Sequence, residues 1–133
     1  MPDFIDKVAL IHVNDHKVLS TLSKNKNAFF FPGGKREPNE SDIDCLKREI
    51  EEELNVTLND DTIQFFGTFE APAHGHPEGV NVRMICYFAD YVGELKASNE
   101  IESFAWLEFK DKANSSLVDQ LIFDELYEKN IIK

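Results

Sequence analysis

The residues best equipped for chemistry fall in one short run, Arg48-Glu49-Ile50-Glu51-Glu52-Glu53. Placed at 100° steps around a helix with Glu49 at zero, Glu49, Glu52 and Glu53 fall between about −60° and 40°, and Glu51 near about 200°. Three carboxylates then share one wall. Like charges at this spacing repel by roughly a few tenths of a kcal/mol per pair, and late in a helix they also oppose the macrodipole. Lys47 and Arg48 fall near about 160° and −100°, off that wall. One reading of the run is a solvated charged face. The other is a divalent-cation site, because clustered anionic oxygens are the ligands Mg²⁺ or Mn²⁺ takes, together with substrate phosphates. Just upstream, Pro32-Gly33-Gly34 lets the backbone bend and expose its polar groups, and Lys35 and Arg36 follow as two cations for phosphate oxygens.

Those side chains need a helix to hold them, and the pattern predicts one over residues 41–54. Ile43, Leu46, Ile50 and Leu54 form an apolar stripe between about 60° and 140°, distinct from the acidic wall. Ser41-Asp42-Ile43-Asp44 reads as a capping box at its start, and the helix should stop at Asn55. Before it, residues 4–13 are apolar and β-branched, Asn14-Asp15 signals a turn, and residues 17–22 read as the hairpin partner. Residues 28–31 read as a short buried strand that Pro32-Gly33-Gly34 ends abruptly. Residues 63–70, 80–92 and 101–109 are further strand candidates, and the loop 71–79 carries His74 and His76. That loop could supply a base near neutral pH or be a hairpin tip; one His-x-His is weak evidence for zinc. Arg83 alternates with apolar residues on its strand, where it meets either a phosphate or a cross-strand carboxylate. A closing helix opens at Ser116, with Leu117, Leu121, Ile122 and Leu126 as its apolar stripe to about Lys129. Strands flanking a helix, with a second helix at the end, make a layered α/β or α+β domain.

A length of 133 residues fits one domain, residues 1–133, with a core drawn from 42% hydrophobic residues. Twenty-five acids against fourteen bases give a formal net charge of −11, which disfavours nucleic-acid polymers and anionic membranes. Two cysteines are too few for a disulfide framework, and no apolar run approaches the roughly 18 residues that span a bilayer. A cytoplasmic location is expected. Cys45 falls beside the glutamates and reads as a small packing residue. A cation bound to the acidic wall would reverse the local sign, so the overall acidity does not argue against a small phosphorylated ligand.

From Gly34 to Val56 the chain resembles the Nudix box of the Nudix (MutT-like) hydrolases. Gly34 is followed by five residues to Glu40, then seven to Arg48-Glu49-Ile50-Glu51-Glu52-Glu53-Leu54-Asn55-Val56. Asn55 stands where the box has Gly, a mild departure at a position past the helix end that favours left-handed backbone. The resemblance implies an α/β/α sandwich with a mixed sheet and a loop-helix-loop metal site, binding Mg²⁺ or Mn²⁺. It implies that Glu49, Glu52 and Glu53 are metal-binding and catalytic, that the Gly33 carbonyl can join the metal shell, and that Arg48 orients the glutamates. Glu40 is then a structural member. Glu100, on a loop before Trp106, resembles a further acid that many members carry, as an extra ligand or base. Trp106 itself reads as a core residue.

The reaction implied is attack of water on a phosphorus of a pyrophosphate, in a nucleoside diphosphate linked to another moiety, a modified nucleoside triphosphate among the candidates. The partner is then a small nucleotide, with Lys35, Arg36 and Arg83 as substrate-binding cations, no membrane, and the oligomeric state open, a homodimer included. The alternative is a non-catalytic nucleotide-binding module with the same fold, whose usual mark, loss of box glutamates, is absent from this sequence.

Overall fold

The computed structural model of the chain describes residues 3–73 and 79–133, so His74 and His76 lie outside the described residues. In chain order the elements are β1 (Asp3–Ile11), β2 (Val13–Asn14), β3 (Lys17–Ser23), β4 (Phe29–Phe30), β5 (Gly33–Gly34), α1 (Asp42–Leu54), β6 (Thr57–Leu58), β7 (Gln64–Pro72), β8 (Val80–Phe88), β9 (Tyr91–Val92), β10 (Ile101–Leu107) and α2 (Leu117–Glu128). Strand order in the larger sheet is β5-β1-β8-β7, with β1 and β8 parallel and the outer pairings antiparallel, so the sheet is mixed. A second, antiparallel sheet runs β10-β3-β2, with β4 also on β3, and β6 pairs with β9.

The apolar run of β1 lacks alternation because the strand is buried on both faces. Ala9 and Ile11 pack with Val118, Ile122, Phe123 and Leu126 of α2, while Val8 and Leu10 pack with Leu46, Ile50 and Leu54 of α1. A helix on each side of the sheet makes the expected α/β/α sandwich. α1 begins where its cap predicts: Ser41 Oγ accepts from the Asp44 amide at 3.1 Å. It ends at Asn55, whose φ of 60° and ψ of 30° are left-handed.

Three local expectations are corrected. Residues 4–13 are not one arm of a hairpin: β1 belongs to the larger sheet, the chain crosses at His12, and only Val13–Asn14 pairs with β3. The turn itself is sound, since Asp15 and His16 have φ of 54° and 61°, the two positive values a tight hairpin turn needs. The strand at residues 28–31 does stop before Pro32, as β4, but Gly33-Gly34 is not a bare turn: it forms β5, antiparallel to β1. On α2 the buried face is Val118, Ile122, Phe123 and Leu126, whereas Leu117 and Leu121 are 41% and 43% exposed. The helix is turned because buried Asp119, in its first turn, accepts the Phe31 amide at 2.8 Å.

Candidate active site

Arg48 organises the acidic wall. Its Nε and Nη2 donate to the two oxygens of Glu40 at 2.7 and 2.8 Å, a fork-on-fork pair, while Nη1 donates to Glu49 at 2.9 Å and reaches Glu52 at 3.4 Å. Nη2 also donates to the Lys35 carbonyl at 3.1 Å, tying the loop before α1 to the helix. The Arg48 fork holds the Glu40 carboxyl down at about 2, and Glu40 in turn accepts the Glu37 amide at 2.9 Å. The helical wheel puts Arg48 off the wall, yet its guanidinium bridges back to it, because a wheel records the direction of Cβ and not the length of the side chain.

Glu53 is the buried member, 7% exposed, and its Oε1 accepts the Gly33 amide at 3.0 Å. Burial pushes its carboxyl up to about 8; the neighbouring Glu49 and Glu100 charges push the same way, against the Gly33 amide and Lys7. Burial pushes Glu49 upward as well. The two glycines of β5 let this wall approach the sheet. A Cβ on Gly33 would lie 2.0 Å from the Val8 carbonyl oxygen, and one on Gly34 would lie 2.5 Å from the Glu49 carboxyl carbon. Cys45 is buried nearby, its Sγ 3.6 Å from the Gly34 carbonyl, and burial lifts its thiol to about 11, so it packs rather than reacts.

Glu100 is brought to the site by a clip on the C-terminal end of α1. Ser98 Oγ and Asn99 Nδ2 donate to the Glu52 carbonyl at 2.7 and 2.9 Å, and the amides of Ser98 and Lys96 donate to the carbonyls of Glu53 and Leu54 at 3.0 and 2.9 Å. Asn55 closes the clip, its Nδ2 donating to the Lys96 carbonyl at 2.7 Å and to Ser98 Oγ at 2.9 Å. Helix-end carbonyls that would otherwise need water or a cation are thus satisfied by the 96–99 segment. From the other side, the Lys24 amide donates to the Glu100 carbonyl at 2.8 Å.

Glu49, Glu53 and Glu100 line one cavity of about 460 Å³, with Gly33 and Gly34 at its wall. Glu52, half-exposed, is beside this group but not in the lining. Of the cations expected to bind substrate, Lys35 lines the cavity, and Lys7, Lys24 and Lys26 line it too. Arg36 and Arg83 are not brought there. Arg36 is held by Asp42 at 2.6 Å, and Arg83 stands between its cross-strand neighbours Asp6 and Glu70, at 3.9 and 3.8 Å. Lys24 and Lys26 sit in the polar stretch before β4, where composition alone marks only a loop. Lys7 had one signal, a lysine interrupting an apolar run.

Among the described residues no three acidic, His or Cys side chains converge on a single metal-ligand point. Glu49 and Glu52 are engaged by Arg48, and Glu53 by the Gly33 amide. The donor chemistry nevertheless fits a hard divalent cation. Three carboxylates line one cavity, and two of them, Glu49 and Glu53, are pushed toward protonation by burial and by neighbouring carboxylates.

The sequence model of the NUDIX domain matches residues 4–122. The m7GpppN-mRNA hydrolase of Saccharomyces cerevisiae is 29% identical over 77% of this chain; the chain spans about a tenth of that relative's length, the match covering 10% of it. Among solved structures, a MutT NUDIX hydrolase from Burkholderia pseudomallei superposes with a TM-score of 0.76 at 21% identity, over 92% of this chain and 97% of its own. A bifunctional NMN adenylyltransferase/ADP ribose pyrophosphatase from Francisella tularensis, complexed with AMP and a manganese ion, gives 0.68 at 18% identity, over 97% of this chain and 42% of its own.

Proposed function

The chain belongs to the NUDIX domain family, and from that premise we propose that it is a metal-dependent hydrolase of a pyrophosphate bond, in a nucleoside diphosphate linked to another moiety. The observation that carries this reading is the shared cavity, lined by Glu49, Glu53 and Glu100 and by Lys24, Lys26 and Lys35. The carboxylates suit a cation, and the lysines suit the phosphates that accompany it. The yeast relative, an m7GpppN-mRNA hydrolase, supports the reaction class.

In this reading Glu49, Glu52 and Glu53, with the Gly33 carbonyl, hold Mg²⁺ or Mn²⁺. The chemistry the cation supplies is charge neutralisation at the phosphates and acidification of the attacking water. Arg48 fixes Glu49 and Glu52, so their oxygens are oriented before substrate arrives. Lys35 steadies the phosphate chain from the loop that Arg48 anchors. Glu100, delivered by the clip on α1, takes the proton from the attacking water. Asn55 replaces the motif's Gly and keeps its left-handed backbone. A modified nucleoside triphosphate is the favoured substrate, with ADP-ribose, dinucleoside polyphosphates and nucleotide sugars as the other members to assay.

The test is a panel of these substrates with Mg²⁺ and with Mn²⁺, products identified by mass, on the wild type and on Glu53→Gln. The variant keeps the acceptor for the Gly33 amide and removes the charge. Its kcat/KM should fall by about 100-fold or more. Mg²⁺ should raise the Tm of the wild type and leave that of Glu53→Gln unchanged. The metal-free variant should melt no lower than the wild type, because the lost charge is one that burial disfavours. Activity within about threefold of the wild type would sink the assignment. Nucleotide binding without turnover by the wild type would favour the binding-module alternative.

A further inference from the structure

Lys7 lies on β1, paired on both sides within the sheet, and its neighbours on the same face, Ile5 and Ala9, belong to the α2-side core. A lysine on such a face is costly unless something meets its charge. Among the described residues Lys7 Nζ makes no hydrogen bond and no ion pair; its nearest specific contact is the Phe30 ring, 5.3 Å away. Burial lowers its pKa, which Asp119 and Glu53 oppose from a distance without closing a salt bridge. Seven of the chain's fourteen cations, Arg36, Lys47, Arg48, Arg83, Lys110, Lys112 and Lys129, each have a carboxylate within 4.0 Å, and Lys7 is not among them. Lys7 has a cavity in front of it instead, whose lining includes the apolar side chains of Ile5, Phe30, Phe31, Met84 and Val118 alongside charged ones.

We propose that Lys7 is a specificity-determining residue: its ammonium donates to an oxygen on the ring moiety of the substrate, so that the protein selects a keto-bearing ring over its amino-bearing counterpart. The apolar and aromatic lining accepts a flat ring, and Phe30 steadies the ammonium beside it. An ammonium carries donors only. It therefore meets a ring carbonyl with a charge-assisted hydrogen bond, and it opposes a ring amino group donor to donor. A site built around one unpaired donor discriminates more sharply than an apolar pocket, because the wrong ligand leaves that group buried and unmet. The proposal rests on the cavity being the substrate site, and it adds which moiety that site reads. If Lys7 served only to offset the charge of Asp119, its loss would weaken every ligand equally.

The experiment uses two pairs of probes that differ by a keto-for-amino exchange at one ring carbon, with the adjacent ring nitrogen changing from N–H to bare N: IMP against AMP, and UMP against CMP. Their Kd values are measured by calorimetry in Mg²⁺ for the wild type, Lys7→Met and Lys7→Arg. The wild type should prefer the keto member of each pair by on the order of tenfold to a hundredfold. Lys7→Met, which keeps the apolar stem, should bring both ratios within about threefold by weakening the keto ligand while leaving the amino ligand nearly unchanged. Lys7→Arg should retain the preference, and it serves with the wild-type ratios if the Met variant fails to fold. Equal binding of keto and amino rings by the wild type, equal weakening of both by Lys7→Met, or no binding of any of the four probes overturns the proposal. The hydrolase reading fails separately, by the absence of turnover across the substrate panel while the keto preference persists.

Discussion

A methyl group added at Gly34 would meet the end of a flexible side chain, the Glu49 carboxylate at 2.5 Å; the same addition at Gly33 would meet backbone, the Val8 carbonyl oxygen at 2.0 Å, at a φ of +145°. The two substitutions should therefore separate fold from function. Gly33→Ala should cost about 3 kcal/mol or more, read as a lowered urea midpoint. Gly34→Ala should cost less than about 1 kcal/mol, yet displace Glu49 and lower kcat/KM by about 10- to 100-fold. A midpoint for Gly34→Ala as low as that of Gly33→Ala would show that the carboxylate cannot move aside. The grouping of Glu49, Glu52 and Glu53 was legible from periodicity, because backbone geometry decides it. The reach of Arg48 across to Glu40 and Glu49 was not, since four rotatable side-chain bonds separate its guanidinium from the backbone. Nor was Lys7, because an apolar run without alternation carries no sign of which face a given residue takes.

At the scale of elements, α1 was readable at both ends: a Ser cap, an apolar stripe and an Asn stop are local features, and each is where the pattern puts it. The contacts made beyond the stop were hidden, because Asn55 is bonded to Lys96 and Ser98, more than forty positions along the chain. The hairpin misreading of residues 4–13 has the same origin, since strand partners are chosen by non-local packing. Half of the α2 stripe, Ile122 and Leu126, is buried as its pattern predicts, whereas Leu117 and Leu121 face outward while a polar residue, Asp119, is turned inward to serve the Phe31 amide. Replacing Asn55 by the glycine of the motif should preserve the left-handed turn and remove two of the six hydrogen bonds of the clip. Stability should fall by about 1–2 kcal/mol, and kcat should drop several-fold as Glu100 loosens. Unchanged kcat with unchanged urea midpoint would mean that these two bonds neither stabilise α1 nor place Glu100.

For the whole molecule, two buried carboxyls set how stability responds to pH. Burial raises Asp119 from 3.8 to about 7, against the Phe31 amide, and raises Glu53 from 4.5 to about 8. Each folded value lies above the unfolded one, so between them the folded chain binds more protons. The unfolding free energy then falls as pH rises from about 4 to 8, and levels off beyond. In chelator, urea titrations across this range should show that slope, and Asp119→Asn should remove its portion between about pH 4 and 7, on the order of a few kcal/mol. A slope unaltered by Asp119→Asn would mean that the carboxyl is not held protonated by burial.

The clip between α1 and residues 96–99 also bears on the order in which the molecule assembles. Glu49 and Glu53 belong to a helix that local signals can start, but Glu100 joins them only when chain segments some 46 positions apart, from Glu52 to Ser98, have closed on one another. The carboxylate wall is therefore incomplete in any partly folded chain that lacks this long-range contact. A cation held by Glu49, Glu52 and Glu53 together with the Gly33 carbonyl must likewise wait until β5 has paired with β1 beside α1, so it cannot template the early steps; it recognises only the completed fold. Its effect is expected on the lifetime of the folded state, slowing unfolding, rather than on how quickly that state is first reached.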